Sequence, residues 1–306
     1  MALSLERFNR VIDISFLTST ASKYDSRGFA RTDVAAQRSI VCPRHGIKPD
    51  IQINGTLGSD GLLWAFHIMI KNFYYDLLTE QYSRIKVRAG YANKPITFEA
   101  NIMNMYQQSP GPDGTTVIEC VYGNVTQEWL DTMVNLNYDK GTMLTDILDA
   151  LKNKLNATDK VTGKLTKELK LDDPLQFEGT AREAFVRLEE RFPDKHLQVF
   201  MRGDKLCAVC LTEGDYIEEH TVQYLSAPPK KTPGDKSGTW TTQITAPWMP
   251  EVLPGDELII PLQTYIRNGQ LVGGKKQQKM HVTKMSFHFG TKGSINQMTC
   301  DGYIVR

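Results

Sequence analysis

Two cysteines three residues apart are the first candidates for chemistry. Cys207 and Cys210 form a C-x-x-C motif, which in a thioredoxin-like site lies at the amino terminus of a helix, where the thiolate is stabilised. Here the motif lies in an alternating run typical of a β-strand, so the two sulfurs are expected on opposite faces. A zinc site built from such pairs would also need a second C-x-x-C, which the chain lacks. We interpret both residues as core cysteines.

Two histidines and a third cysteine are the next candidates, as metal ligands. His281 and His288 lie in one predicted strand and Cys300 in the next. A gap of seven residues in a regular strand places the two imidazoles on opposite faces. The sequence therefore predicts no metal site here and no cofactor.

Adjacent carboxylates could serve a glycosidase, in which two carboxyl groups flank the sugar bond about 5 to 9.5 Å apart. The pairs Asp172/Asp173 and Glu189/Glu190 lie in a charged tract and on a polar helix face, respectively. Solvated positions explain both pairs. The tripeptide Arg202-Gly203-Asp204 spells an adhesion motif, but a tight turn explains it fully.

Signature motifs of catalysis are absent from the sequence. It contains no G-x-S-x-G elbow, no H-E-x-x-H, no phosphate-binding G-x-x-x-x-G-K-[ST] and no G-x-G-x-x-G that opens a helix. We predict a protein that is not an enzyme, with no catalytic, cofactor-binding or metal-binding residues.

Three cations on alternate positions of one predicted strand form the remaining candidate site. Arg84, Lys86 and Arg88 are spaced by about 6.6 Å on one face, a spacing that can follow phosphates. A solvated strand face is the more common outcome for such a row of charges. A face that lines a lumen or a subunit interface is the third.

The elements around this strand predict an antiparallel β unit over residues 45–125. Residues of alternating polarity and high β-branched content, separated by turn residues, mark five runs. These predicted strands are Ile51–Leu57, Leu63–Phe73, Arg84–Gly90, Ile96–Asn101 and Thr115–Tyr122. Five or six strands of this kind make a small barrel or a sandwich.

An α+β insert is predicted over residues 128–215. One amphipathic helix covers residues 143–155, and a second begins at Thr180, where Thr180 and Glu183 form a capping box. A β-hairpin follows at residues 197–210. The charged tract between the helices, residues 156–173, is predicted to be an exposed excursion.

A second β unit closes the chain. Its strands are predicted at residues 240–245, 257–261, 280–289 and 296–304. Two segments poor in apolar residues, Thr18–Gln37 and Ser226–Gly238, are predicted to be long loops that become ordered only against neighbouring chains.

Composition excludes several classes. The chain has 306 residues, a formal net charge of +1 and 41% apolar residues, which excludes a strongly charged disordered protein and a nucleic-acid binder driven by bulk charge. Five cysteines are too sparse for a disulfide framework. The sequence contains no run of about 18 apolar residues, so it does not predict a membrane-spanning helix. The amino-terminal residues lack the apolar region of a secretory signal, so we expect the protein to be located first in a cytoplasm.

Several short motifs resemble those of phage tail hub proteins of the late control protein D group. The run Ile85-Lys-Val-Arg-Ala-Gly-Tyr91, followed by Ile96-Thr-Phe-Glu-Ala-Asn-Ile102, resembles a strand pair that enters a tube-like barrel. The motifs Phe177–Phe185 and Met249–Leu258 resemble the small α+β domain and the turn into the second barrel. The terminal run Val282–Ile304 is similar to the family's last strand pair. The resemblance spans about residues 50–306.

The resemblance implies a mainly β fold, with two tube-like antiparallel β-barrel domains that flank a small α+β domain. The implied domains are residues 1–127, 128–225 and 226–306. It further implies a homotrimeric baseplate hub that adapts a sixfold tail tube to a threefold central spike. Tail tube, spike, tape measure and baseplate wedge proteins would be its partners, and the virion tail, assembled in the cytoplasm of a bacterial host, would be its location.

Two alternatives stay open from the residues alone. One is a soluble cytoplasmic enzyme with an unrecognised site, and the other is a monomeric binding module that uses its basic strand face. The mass of the protein in solution separates both from a ring-forming hub.

Overall fold

A computed structural model describes most of the chain. The described residues are 10–24, 30–42, 50–58, 64–73, 82–91, 94–108, 114–123, 130–211, 214–233, 240–261, 265–267, 270–272, 277–292 and 296–305.

The amino-terminal part forms antiparallel strands, as predicted for residues 45–125. The strands are β1 (Arg10–Tyr24), β2 (Ala30–Cys42), β3 (Ile51–Gly58), β4 (Ala65–Lys71), β5 (Tyr82–Tyr91), β6 (Lys94–Gln107) and β7 (Thr115–Tyr122). Ile85, Val87 and Ala89 of β5 are fully buried, and the intervening cations face outward.

The prediction of a loop at Thr18–Gln37 is wrong, because most of this segment lies in the β1–β2 hairpin. A usable signal lies just before it: Ile12, Ile14 and Phe16 alternate with polar residues and are fully buried. The strand continues from this apolar start into a polar stretch because backbone hydrogen bonds, rather than apolar side chains, extend the ladder.

The insert contains two short sheets and two helices. Its elements are β8 (Met133–Tyr138), α1 (Leu144–Leu155), β9 (Asp159–Thr162), β10 (Leu175–Thr180), α2 (Ala181–Glu189), β11 (Leu197–Arg202) and β12 (Lys205–Cys210). The predicted capping box is confirmed, since the Thr180 hydroxyl accepts from the Glu183 N–H while the Glu183 carboxylate accepts from the Thr180 N–H.

The tract at residues 156–173 is not an exposed excursion. Its strand β9 pairs in parallel with β12, and its 3-10 turn at Thr166–Glu168 buries Thr166 completely. The reason is Asp215, a buried carboxylate that accepts from the backbone of Leu165 and from the hydroxyl of Thr166. A single distant acceptor thus fixes a tract whose own sequence is mostly polar.

The carboxyl-terminal part adds β13 (Glu219–Thr221), β14 (Ala227–Pro233), β15 (Trp240–Pro247), β16 (Glu257–Pro261), β17 (Tyr265–Arg267), β18 (Gln270–Val272), β19 (Gln277–Gly290) and β20 (Gln297–Val305). The predicted loop at Ser226–Gly238 is wrong over residues 227–233, which form β14 and pair with β15. Residues 234–238 lie outside the described residues.

Strands of both β units share one sheet. In the described chain this sheet has 13 strands, with the order β14-β15-β20-β19-β3-β4-β7-β6-β5-β1-β2 and with β16 and β13 attached at β19. It curls into a half-barrel, and strands predominate among the described residues, which confirms the mainly β fold with an α+β insert. The boundaries at residues 127 and 225 stay a prediction.

Two apolar cores lie on either side of the β11–β12 hairpin. Phe200, Cys207 and Val209 pack into the core of the large sheet. Their strand neighbours Val199 and Ala208 pack into the core of the insert, with both helices. The hairpin is therefore a wall between the two cores.

Candidate functional site

The basic strand face is partly neutralised by its neighbours. Arg84 Nη2 lies 2.6 Å from Glu99 Oε2 on β6, and Arg88 Nη1 lies 3.0 Å from Asp13 Oδ2 on β1. Lys86 is exposed and stands opposite Glu99 in the strand register. Three cations therefore share their surface with two carboxylates, which weakens the interpretation as a phosphate-binding row.

The two β units meet along β3 and β19. Seven residue pairs run from Lys284↔Gly58 to Gly290↔Gln52. Gly55 is required at this seam, because a Cβ atom there would lie 2.6 Å from the Phe287 ring. The ring of Phe287 in turn stacks on Trp248, with centroids 5.2 Å apart and planes 10° apart.

The insert meets the second β unit at a different kind of contact, centred on Asp256. This carboxylate is fully buried, and Arg202, at the end of β11, donates to it in a bidentate manner at 2.7 and 3.4 Å. The backbone N–H groups of Glu218 and Leu253 also donate to it, at 3.2 and 2.9 Å. A buried charge is tolerated only when it is paired and hydrogen-bonded, and these donors meet that condition.

His220 completes this Asp256 cluster. Its Nε2 atom lies 3.3 Å from Asp256 Oδ2. Burial lowers the pKa of His220, but the hydrogen bond and the negative charge of Asp256 raise it by more, so the net pKa lies above its ordinary value. The folded protein therefore holds a proton on this imidazole more strongly than the unfolded chain does.

Glycines let the insert approach the first β unit closely. A Cβ atom at Gly123 would lie 2.6 Å from the Gly203 Cα atom, and Gly203 has a φ of +65° in the β11–β12 turn. The adhesion-like tripeptide is accordingly a packed turn, with Arg202 held by Asp256. The interpretation of Arg202-Gly203-Asp204 as a turn is confirmed.

A cavity of about 400 Å³ lies where the three parts of the chain meet. Phe98, Tyr122 and Leu253 contribute apolar lining, while Arg84 and Glu218 contribute opposite charges. Because both signs of charge line it, the cavity has no evident preference for an anionic or a cationic ligand.

The two cysteines of the C-x-x-C motif lie in separate cores, as predicted. Cys207 faces the core of the large sheet and Cys210 faces the core of the insert. Burial raises the pKa of Cys207 to about 12 and that of Cys210 to about 11. Both thiols stay protonated near neutral pH, so neither supplies a thiolate nucleophile.

The predicted placement of the two histidines is wrong in one respect. A bulge between Val282 and Lys284 shifts the alternation of β19, so that Val282 and Met285 both face the core and His281 and His288 share the opposite face. The seven intervening steps still separate the imidazoles by about 20 Å. Cys300 points into the core. Among the described residues, no group of three or more His, Cys, Asp or Glu side chains could hold a metal ion.

The two pairs of adjacent carboxylates differ in their surroundings. Asp172 and Asp173 are exposed, as predicted. Glu189 is not simply solvated, since its carboxylate accepts from the Val199 N–H at 2.8 Å and so ties α2 to β11. Glu190 directly follows α2, and its Oε2 atom lies 3.0 Å from Nη1 of Arg187 in the last turn of that helix.

Sequence reasoning missed the residues that bind the parts of the chain together. Asp256 was visible only as the last residue of a Pro254-Gly255-Asp256 turn, and Asp215 carried no signal at all. A turn aspartate followed directly by an apolar strand is a candidate for capping backbone N–H groups, and that signal could have identified Asp256.

The fold described above is shared with solved tail proteins. The tail protein from Neisseria meningitidis MC58 matches with a TM-score of 0.55 and 7% identity, over 96% of this chain and 96% of that chain. A component of the type VI secretion system of E. coli, described as similar in structure to the T4 bacteriophage tail proteins gp27 and gp5, matches with a TM-score of 0.52 and 9% identity, over 84% of this chain and 75% of that chain.

The chain therefore has the fold of tail proteins and of their type VI secretion counterparts, and the resemblance stated from its sequence motifs is confirmed at the level of the fold. No protein-family model and no curated protein matches the sequence. Among the helices that the structure describes, none is long and apolar enough to span a membrane.

Proposed function

We propose that this chain is a structural protein of a phage-type tail, and specifically a baseplate hub. Three copies form a ring that adapts a sixfold tail tube to a threefold central spike. The observation that carries the proposal is the fold, which matches a tail protein over 96% of both chains. At 7% identity this is a likeness of fold alone, and the role is our inference from it.

Two features of the molecule support a role in assembly. The half-barrel is apolar on its inner face and carries paired charges on its outer face along β5, so the outer face can meet a neighbour without a large electrostatic penalty. The same sheet links the strands of both β units, which suits a rigid wall segment.

The partners and the location follow from the same proposal. Tail tube and spike proteins contact the two ends of the ring, with tape measure and baseplate wedge proteins as further partners. The ring is part of the virion tail and is assembled in the cytoplasm of the bacterial host. The proposed role requires no enzymatic activity.

The decisive experiment measures mass and assembly. The purified full chain is analysed by light scattering, alone and after co-expression with the tail tube and spike proteins, and the products are imaged by electron microscopy. We expect a trimer and a threefold ring between tube and spike. A chain that stays monomeric under all of these conditions, or a monomer that turns over a small substrate, contradicts the proposal.

A further inference from the structure

Among the described residues, one edge of the large sheet is open to pairing with another strand. Strand β2 forms this edge with 13 residues, and within the described part of the chain its backbone pairs with β1 alone. Its sequence, Ala30 to Cys42, contains neither proline nor glycine. An edge of this length presents unpaired N–H and C=O groups to the outside and promotes association unless a partner covers it.

The opposite edge of the same sheet is protected. Strand β14 has seven residues, and three of them, Pro228, Pro229 and Pro233, have no N–H group to donate. Lys230 and Lys231 lie between these prolines. Prolines and lysines are the residues with which natural proteins block strand addition at an edge. The β14 edge therefore disfavours pairing with an added strand, whereas the β2 edge permits it.

Strand direction also disfavours direct pairing of the two edges. Ten successive antiparallel pairs connect β14 to β2, so both edge strands run in the same direction. In a ring whose axis lies along the strands, β2 of one copy and β14 of the next would have to pair in parallel. Parallel pairs are slightly less stable per residue, and the prolines of β14 weaken such a pair further.

A second backbone element lies beside β14. Strands β17 and β18 form a two-stranded hairpin outside the large sheet, and β17 contacts β14. The six residues of these strands include no proline or glycine. A two-stranded hairpin is marginally stable alone, so an added strand would stabilise it.

We propose that the β2 edge of each copy is covered by the β17–β18 hairpin of the next copy. The contact is heterologous, joining two different surfaces, and a rotation of one third of a turn closes it after three copies. Main-chain hydrogen bonds provide its stability, as in other cases of strand addition. The inference rests on the proposed function, because the trimeric ring comes from there.

Cross-linking of the full chain tests this contact. The background is Cys42→Ser, since Cys42 lies in β2 and the cysteines Cys120, Cys207, Cys210 and Cys300 are buried. Ala36→Cys is combined with Leu271→Cys, and a second variant combines Thr32→Cys with Leu271→Cys. The assembled protein is treated with a short bismaleimide, and the products are separated in denaturant.

We expect covalent dimers and trimers from at least one double variant, and monomers from each single variant. A link within one chain leaves a monomer and is thereby distinguished. The matched control, Asp172→Cys with Leu271→Cys, places the first thiol on an exposed position of the insert and should give monomers. Unchanged melting temperatures check that the variants fold.

The experiment distinguishes a failure of the proposed contact from a failure of the proposed function. A protein that is trimeric by mass but gives no covalent dimer or trimer from either double variant overturns this inference and leaves the proposed function standing. A covalent dimer from Ala36→Cys or Thr32→Cys alone shows that two β2 edges pair around a twofold axis, which also overturns it. A protein that never forms a trimer contradicts the proposed function itself.

Discussion

The seam between the two β units and the junction of the insert with the second β unit are held in different ways. The seam is a backbone ladder of seven residue pairs between β3 and β19. Within it, Gly55 packs closely against the Phe287 ring. The junction is one buried carboxylate, Asp256, with a bidentate arginine and two backbone donors. A ladder distributes its stability over many groups, whereas a buried charge concentrates it in one side chain.

The largest expected effect is at the junction. In Asp256→Asn the Arg202 guanidinium loses its anionic partner while it stays largely buried, and breaking a buried pair costs about 3 to 5 kcal/mol. Urea denaturation, which gives the free energy of unfolding, is the measurement. The matched control is Asp204→Asn, two residues after Arg202, which should change that free energy by less than about 0.5 kcal/mol. Equal losses of unfolding free energy in Asp256→Asn and Asp204→Asn would show that the Asp256 carboxylate is not the main stabilising group of the junction.

The seam should be sensitive at its glycine. In Gly55→Ala the new methyl group meets the Phe287 ring at 2.6 Å and the Phe66 Cβ atom at 2.7 Å. Overpacking of this kind costs about 1 to 3 kcal/mol of unfolding free energy. Thr56→Ala, one residue along on the exposed face, is the control and should be near neutral. If Thr56→Ala destabilises the protein as much as Gly55→Ala does, close packing at Gly55 is not what makes the seam sensitive.

A smaller effect is expected inside the insert, away from both contacts. Thr180→Ala removes the hydroxyl that caps α2, and such a loss costs about 1 kcal/mol. Thr180→Ser keeps a hydroxyl and should retain most of the stability. Thermal unfolding followed by circular dichroism would show the difference. A serine variant as unstable as the alanine variant would mean that the methyl group, rather than the cap, is what matters.

The smallest effect is a pH dependence at the junction. Because the pKa of His220 is raised in the folded protein, protonated His220 stabilises it below the pKa of the unfolded chain, and this contribution is lost as pH rises through the folded-state pKa. Unfolding free energies at about pH 5 and about pH 8 compare the two states of the imidazole. In His220→Gln the difference between these two values should shrink. An unchanged difference would assign the pH dependence to other groups.

Sequence patterns within a few residues predicted helices and strands, whereas contacts between residues far apart in the sequence determine the features that these patterns missed. The alternation at Arg84–Gly90 and the capping box at Thr180 were correct because their determinants lie within a few residues of one another. The tract at 156–173 was misjudged because the residue that fixes it, Asp215, lies about 50 residues further on. Single-sequence patterns do not contain such pairings.

The same limit applies to the candidate site. The basic strand was found from its sequence, but its neutralisation by Asp13 and Glu99 depends on the register of two other strands. The shared face of His281 and His288 depends on a bulge that no alternation rule anticipates.

The β11–β12 hairpin has a consequence for how the molecule unfolds. Because one face of the hairpin belongs to each core, neither core can lose its packing without exposing apolar side chains of the wall to water. The insert and the half-barrel should therefore melt together, as a single cooperative unit in calorimetry, although the chain places them in separate segments. Under an applied force, such coupling would make the insert and the half-barrel yield together rather than one after the other.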